Sequence, residues 1–265
     1  MFAHKASLIL YGGRDTVGNL LTDVWHLDTT TKTWTQLPDA PMSTHNVTLS
    51  DSVLYLVSGR EGAETVGGDV HFLQLTPSAD EAYIWNTVPF PVSPEQPGPR
   101  PRTGGGLLPV TTGYGRQYLL CLFGAHAPPI ASGIEAEQSS AITPAEGFTP
   151  PQLWSDMWTY QLPSSNPELK ATTNIYEAIK PAKIKDAIRG VLGVDSGKHS
   201  WAEVDVLPPT DLDAPAGKVH PGPRSYFASD VMQDGHSVML WGGFNPKGER
   251  EGDGWIIKID AGLLS

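Results

Sequence analysis

Six basic side chains recur at matched places in this 265-residue sequence. Arg14, Arg60 and His126 follow glycine-bearing turns, a series that Phe244 breaks. His45, Arg102 and Arg224 stand just ahead of apolar runs, within Pro41-Met42-Ser43-Thr44-His45, Pro101-Arg102-Thr103 and Pro223-Arg224-Ser225. Cationic groups gathered on one side of a protein bind carboxylate or phosphate, best through the planar guanidinium fork. A structural role competes with that chemistry. Asp15 follows Arg14 and Glu61 follows Arg60, so local pairing would neutralise both. Four aspartates, Asp23, Asp69, Asp156 and Asp253, each open a predicted strand. Their recurrence argues for a turn-fixing hydrogen bond, because an active site would need only one. The sequence has no nucleophile elbow, phosphate loop or CxxC pair, so no catalytic residue is assigned and neither cofactor nor metal is expected.

The elements that must position these groups repeat. Leu8-Ile9-Leu10-Tyr11-Gly12-Gly13 is echoed by Val238-Met239-Leu240-Trp241-Gly242-Gly243. Weaker copies are Leu54–Gly59 and Leu119–Ala125. Each is a short apolar run ending where glycine makes the turn, which predicts a buried strand. An Asp-x-aromatic triplet follows at a fixed interval, as Asp23-Val24-Trp25, Asp69-Val70-His71 and Asp253-Gly254-Trp255. The third copy, from Gly124 to Asp156-Met157-Trp158, fits with an insertion. A tryptophan closes the first three copies, at Trp34, Trp85 and Trp201. Packing explains these and Trp25, Trp158, Trp241 and Trp255 at the other repeat positions.

This pattern resembles the kelch repeat, which implies four-stranded blades of a β-propeller stacked around an axis. The expected architecture is all-β, with about four blades in one unit over 1–265, incomplete or atypically closed. Blade one covers 1–38, blade two 45–90, blade three 101–207 and blade four 224–260. With strands lettered a to d from axis to rim, blade one lacks all but the tail of strand a, and blade four lacks strand d. Two insertions interrupt blade three, at 126–154 and 163–199. The first, rich in Pro, Ser, Ala and Glu, reads as a long loop. The second spaces Ile175, Ile179, Ile184, Ile188 and Val191 helically, with Lys180, Lys183, Lys185 and Arg189 between, and Pro181 divides it. It reads as a short helical insertion, either a cap on the blade edge or a docking element for an acidic partner.

In a propeller the b–c and d–a loops share one end, so Arg14, Arg60, His45, Arg102, His126 and Arg224 fall on one face. The resemblance implies a protein-interaction module or scaffold that binds a protein partner there, an acidic segment being the matching chemistry, since some kelch domains bind such peptides through Arg and aromatic residues. The alternative is a cofactor-independent cyclase or isomerase using the central pocket. Copper-radical galactose oxidases, on a related propeller, need a Cys–Tyr cross-link and paired His ligands, whereas Cys121 is the only cysteine here. The iron-holding Glu, Asp and His of kelch-type specifier proteins find no matching triplet.

A net charge of −11 argues against nucleic acid or an anionic membrane as partner. No apolar run approaches the length of a membrane span. Met1–Lys5 lead straight into a strand, so no secretory signal is expected, and a lone cysteine fits a reducing, cytoplasmic setting. Asn46-Val47-Thr48 has the form of a glycosylation sequon but falls in a predicted inner strand. Open blade edges invite self-association.

Overall fold

In each copy of the repeat, a strand with period-two burial hydrogen-bonds to its sequence neighbour on either side, and the sheets that result stack face to face. The computed structural model describes residues 1–61, 64–76, 82–90, 97–112, 116–126, 152–162, 201–205 and 220–259. The first sheet orders β1 (Phe2–His4), β2 (Ser7–Arg14), β3 (Leu20–Asp28) and β4 (Thr33–Leu37). The second has β5 (Val47–Ser50), β6 (Val53–Glu61), β7 (Glu64–Gln74) and β8 (Trp85–Val88). The third has β9 (Gly106–Thr112), β10 (Arg116–Leu122), β13 (Met157–Gln161) and β14 (Trp201–Glu203). The fourth has β15 (Ala228–Val231), β16 (Ser237–Trp241) and β17 (Gly254–Lys258). A two-stranded ribbon, β11 (Ala125–His126) with β12 (Gln152–Leu153), closes the base of the first insertion. Every pairing is antiparallel, and among the described residues there is no helix. The arrangement is a four-blade, all-β propeller.

Two expectations need correction. Blade one does have an inner strand: Phe2, Ala3 and His4 pair with Ile9, Leu8 and Ser7, a short strand but a complete register. The blade-three repeat also begins one residue earlier than its glycine suggests. The turn after strand b requires a left-handed residue, and Gly12 (φ 57°), Ser58 (φ 50°), Phe123 (φ 48°) and Gly242 (φ 68°) hold it. Phe123 is therefore the counterpart of Gly12, and Gly124 that of Gly13. Phe123 is buried there, with Phe227 and His220 meeting its ring edge-on, centroids 5.8 and 5.7 Å away. The helical insertion expected at 163–199 lies outside the described residues, as does most of the long loop at 126–154.

Three apolar layers hold the blades together. Ile9, Val24 and Leu37 of blade one meet Leu54, Leu56 and Leu73 of blade two. Val57 and Val70 of blade two meet Leu119, Cys121, Trp158 and Tyr160 of blade three. Leu108, Leu120 and Leu122 of blade three meet Val238 and Leu240 of blade four. Each leucine or valine fully withdrawn from water contributes about 1.5–3 kcal/mol, so these layers, not the hydrogen-bond ladders within blades, fix how blades sit. Cys121 is fully buried in the second layer, and burial pushes its thiol up to about 11. Tryptophans latch blades across the gaps: the indole N–H of Trp85 donates to Pro38 O (3.0 Å) and that of Trp201 to Gly68 O (2.8 Å), each in the preceding blade.

Candidate functional site: the loop face

The loop face is built on the Asp-x-Trp triplets. Asp23, Asp156 and Asp253 each accept the indole N–H two residues on, from Trp25, Trp158 and Trp255, at 2.7, 2.8 and 2.7 Å. A strand places residues i and i+2 on one face, which is why this spacing works. Blade two has His71 instead of Trp, and there Asp69 accepts the Phe90 N–H at 2.7 Å. The recurring aspartate is thus a fixing group in every blade.

Arg102 and Arg224 are not on the surface. Both are fully buried, the largest side chains so enclosed. Arg102 grips Asp156 with two bonds, at 2.8 and 3.0 Å, and donates to Phe123 O (2.9 Å) and Arg100 O (3.0 Å). Arg224 repeats the device on Asp253 (2.8 and 3.3 Å), Gly242 O (2.9 Å) and Pro221 O. A guanidinium enclosed among carbonyls and a carboxylate is beyond direct reach of a ligand; these two brace the d–a segment against the b–c loop. The bridges Thr103↔Ala125, Ser225↔Phe244 and Ser43↔Arg60 register the same segments. They make Met42, buried, the blade-two counterpart of Arg102 and Arg224, so His45 stands three residues beyond that position. They also make Ala125, not His126, the counterpart of Arg60.

Asp156 illustrates the electrostatics. Burial opposes its ionisation, but the hydrogen bonds and charge of Arg102, the Trp158 N–H and the charge of Arg100 outweigh it and hold the carboxyl below the usual carboxylate range. A depressed folded pKa stabilises above the unfolded value of about 3.9 and is lost as pH falls through the folded value. Urea midpoints of the wild type should therefore drop as pH goes from about 5 to about 3, and Asp156→Asn should flatten part of that drop. An unchanged slope in Asp156→Asn would mean the pair carries no linkage.

Of the other four candidates three face solvent, while a guanidinium nitrogen of Arg60 is buried. Arg14, at the β2–β3 hairpin, donates to Gly18 O at 2.8 Å. Arg60 is half-buried within β6. His45 is exposed and meets the Tyr226 ring edge-on, 5.3 Å between centroids. His126 is exposed beside Trp154, ring centroids 6.5 Å apart. His45 and Tyr226 lie at an axial cavity of about 620 Å³, lined by all four inner strands, with Thr48, Ser229 and Asp230 as its polar side chains. Asn46 is buried, tying blade two to Arg102 O (3.3 Å) and its own Ser58 O (3.2 Å), which removes the sequon from the surface.

One feature of this face was missed in the sequence: Arg100 on Trp154. The indole of Trp154 is buried and fixed, its N–H donating to Pro101 O (3.3 Å) and its backbone N–H to Gly124 O (2.8 Å). The Arg100 guanidinium lies over it, 3.9 Å from the ring centroid, with Asp156 3.6 Å away. Trp154 is the eighth tryptophan and the one off the repeat positions, a signal that was available. Among the described residues no three His, Cys, Asp or Glu side chains gather as metal ligands, and no helix is long and apolar enough to cross a membrane.

Comparison with known proteins agrees with the architecture. No curated protein matches the sequence. The solved structure of YjhT is similar, with a TM-score of 0.54 at 14% identity, covering 98% of this chain and 66% of that one. The chain thus spans under two-thirds of that structure, and the likeness is one of fold. The Kelch motif matches residues 7–41, which are β2 to β4 and the turn that follows. Residues 7–41 are a kelch motif, and it stands within a four-blade propeller arrangement.

Proposed function

We propose that the loop face binds a protein partner by an acidic segment, with Arg100 as the central contact. The carrying observation is the balance of charge around Asp156. Its carboxylate already takes two bonds from Arg102 and one from Trp158. Arg100 therefore adds a second positive charge to a carboxylate that already accepts three hydrogen bonds, at the longer distance of 3.6 Å, while 54% of its side chain faces water. Stacking on a fixed indole holds the guanidinium in place before any ligand arrives, so little side-chain entropy is lost on contact. His126 beside the same indole, and Arg14, Arg60 and His45 on the same end, extend a basic region across an acidic protein. Arg102 and Arg224 serve it from beneath, by holding the loops.

An acidic peptide titrated into the full chain should bind with an affinity that falls as salt rises, since exposed charge contacts weaken as the Debye length shrinks from about 10 Å at 0.1 M to about 3 Å at 1 M. A charge-assisted contact contributes about 1.5–3 kcal/mol, so Arg100→Ala should weaken binding at least about tenfold. Lys258→Ala, at the other end of blade four, is the control. Equal losses in both would indicate diffuse attraction, and equal binding of the peptide with Asn and Gln in place of Asp and Glu would remove charge recognition altogether.

A further inference from the structure

Each blade presents two chemically distinct faces, and at both ends of the arc one of them is open. Strand register aligns the positions. Those facing the preceding blade are Leu8, Leu10, Trp25 and Leu27 in blade one, matched by Leu54, Leu56, His71 and Leu73, by Leu119, Cys121, Trp158 and Tyr160, and by Val238, Leu240, Trp255 and Ile257. Leu56, Cys121 and Leu240 are fully buried, whereas Leu10 is 39% exposed. Trp85 and Trp201 latch onto the preceding blade, whereas Trp34, paired to Leu27 in the same register, is half exposed.

The face toward the following blade shows the same contrast. Ile9 and Tyr11, Tyr55 and Val57, and Leu120 and Leu122 pack into the apolar layers. Their blade-four counterparts, Met239 and Trp241, are more than half exposed, with Ile256 beside them. Gly254 stands where blades one to three have Val24, Val70 and Met157, and a Cβ there would lie 2.8 Å from the Trp241 ring. The indole thus lies over that glycine, flat against the open sheet. Among the described residues, no apolar layer joins blade four to blade one.

We infer that the chain associates with a second copy of itself head to tail, the open face of blade four docking on the open face of blade one. This goes beyond the loop-face reading and uses a different surface. The occupant follows from continuity: all three layers within the chain join a face of the Met239–Trp241 kind to a face of the Leu8–Leu10 kind, and the arc ends in one of each. Because the two faces differ, the contact is heterologous and can propagate to a ring or a filament, unlike a two-fold dimer. Apolar patches of this type without a neighbour are a known driver of association.

The test separates the two faces. Trp241→Glu with Met239→Glu breaks one face, and Leu10→Glu with Trp34→Glu breaks the other; Trp241→Gln and Leu10→Gln serve as milder versions. In sedimentation across the micromolar range the wild type should associate. Each double variant alone should lose association by at least about tenfold, the scale of losing one interface hot spot. An equimolar mixture of the two should form a one-to-one dimer that does not grow, since each partner supplies the intact face the other lacks. A wild type that stays monomeric overturns the inference and leaves the faces to another protein. So does a variant broken on one face that still dimerises alone, which would mean like faces meet. A mixture without dimers, when the milder pair also gives none, overturns it too.

Discussion

Arg102→Ala should destabilise the fold by about 3–5 kcal/mol, the cost of leaving one member of a buried ion pair alone. The substitution strips two bonds from Asp156 and a donor from each of Phe123 O and Arg100 O. The loss is read from urea unfolding near neutral pH, where Asp156 is ionised. A companion variant comes from the protein itself: Met42 fills the equivalent site in blade two, where Asp69 accepts the Phe90 N–H instead of an arginine. Arg102→Met with Asp156→Asn should therefore recover much of the loss, so that the two changes are strongly non-additive. A cost under about 1 kcal/mol for Arg102→Ala, as for exposed pairs, would mean water reaches the site.

Trp201→Ala should cost a similar amount, about 3–5 kcal/mol, because the indole is buried between blades two and three and its N–H reaches Gly68 O. Trp201→Phe separates the parts, keeping most of the packing while leaving a buried carbonyl without its donor, about 1–3 kcal/mol. The repeat supplies its own comparison. Trp85 makes the same latch from a partly exposed position, and Trp34 stands half exposed. The order of cost to alanine in the monomeric protein should be Trp201, then Trp85, then Trp34. If Trp34 cost as much as Trp201, the open face of blade one would be buried in solution, and a stability that rose with protein concentration would identify a second copy as its cover.

The strands were legible in the sequence because a buried sheet repeats itself every two residues and the turns are marked by glycine. Where glycine gave way, the marking failed. Phe123 takes the left-handed turn position that Gly12 and Gly242 hold, so the blade-three register was placed one residue late and His126 was matched to Arg60. Arg102 and Arg224 stand in the segments just ahead of the inner strands, as their Pro-Arg steps indicate, but their depth was not local information. It depends on Asp156 and Asp253, 54 and 29 residues further on. A pattern search pairing each Pro-x-Arg or Pro-Arg step with the next Asp-x-Trp would have exposed the brace, and also its absence from blade two. Arg100 escaped because it precedes the repeated step and its indole sits at the end of an insertion. The inner strand of blade one, read from the sequence as a mere tail, is a paired strand over Phe2–His4.

The placement of Cys121 makes the second apolar layer observable in time. It is the only cysteine, wholly enclosed, and its thiol is held neutral at ordinary pH by its surroundings. An alkylating reagent meets it only when blades two and three part, so the labelling rate is a clock on that separation, with no other thiol to confuse the signal. Compared with the rate of global unfolding, it distinguishes a wheel that opens blade by blade from one that comes apart all at once.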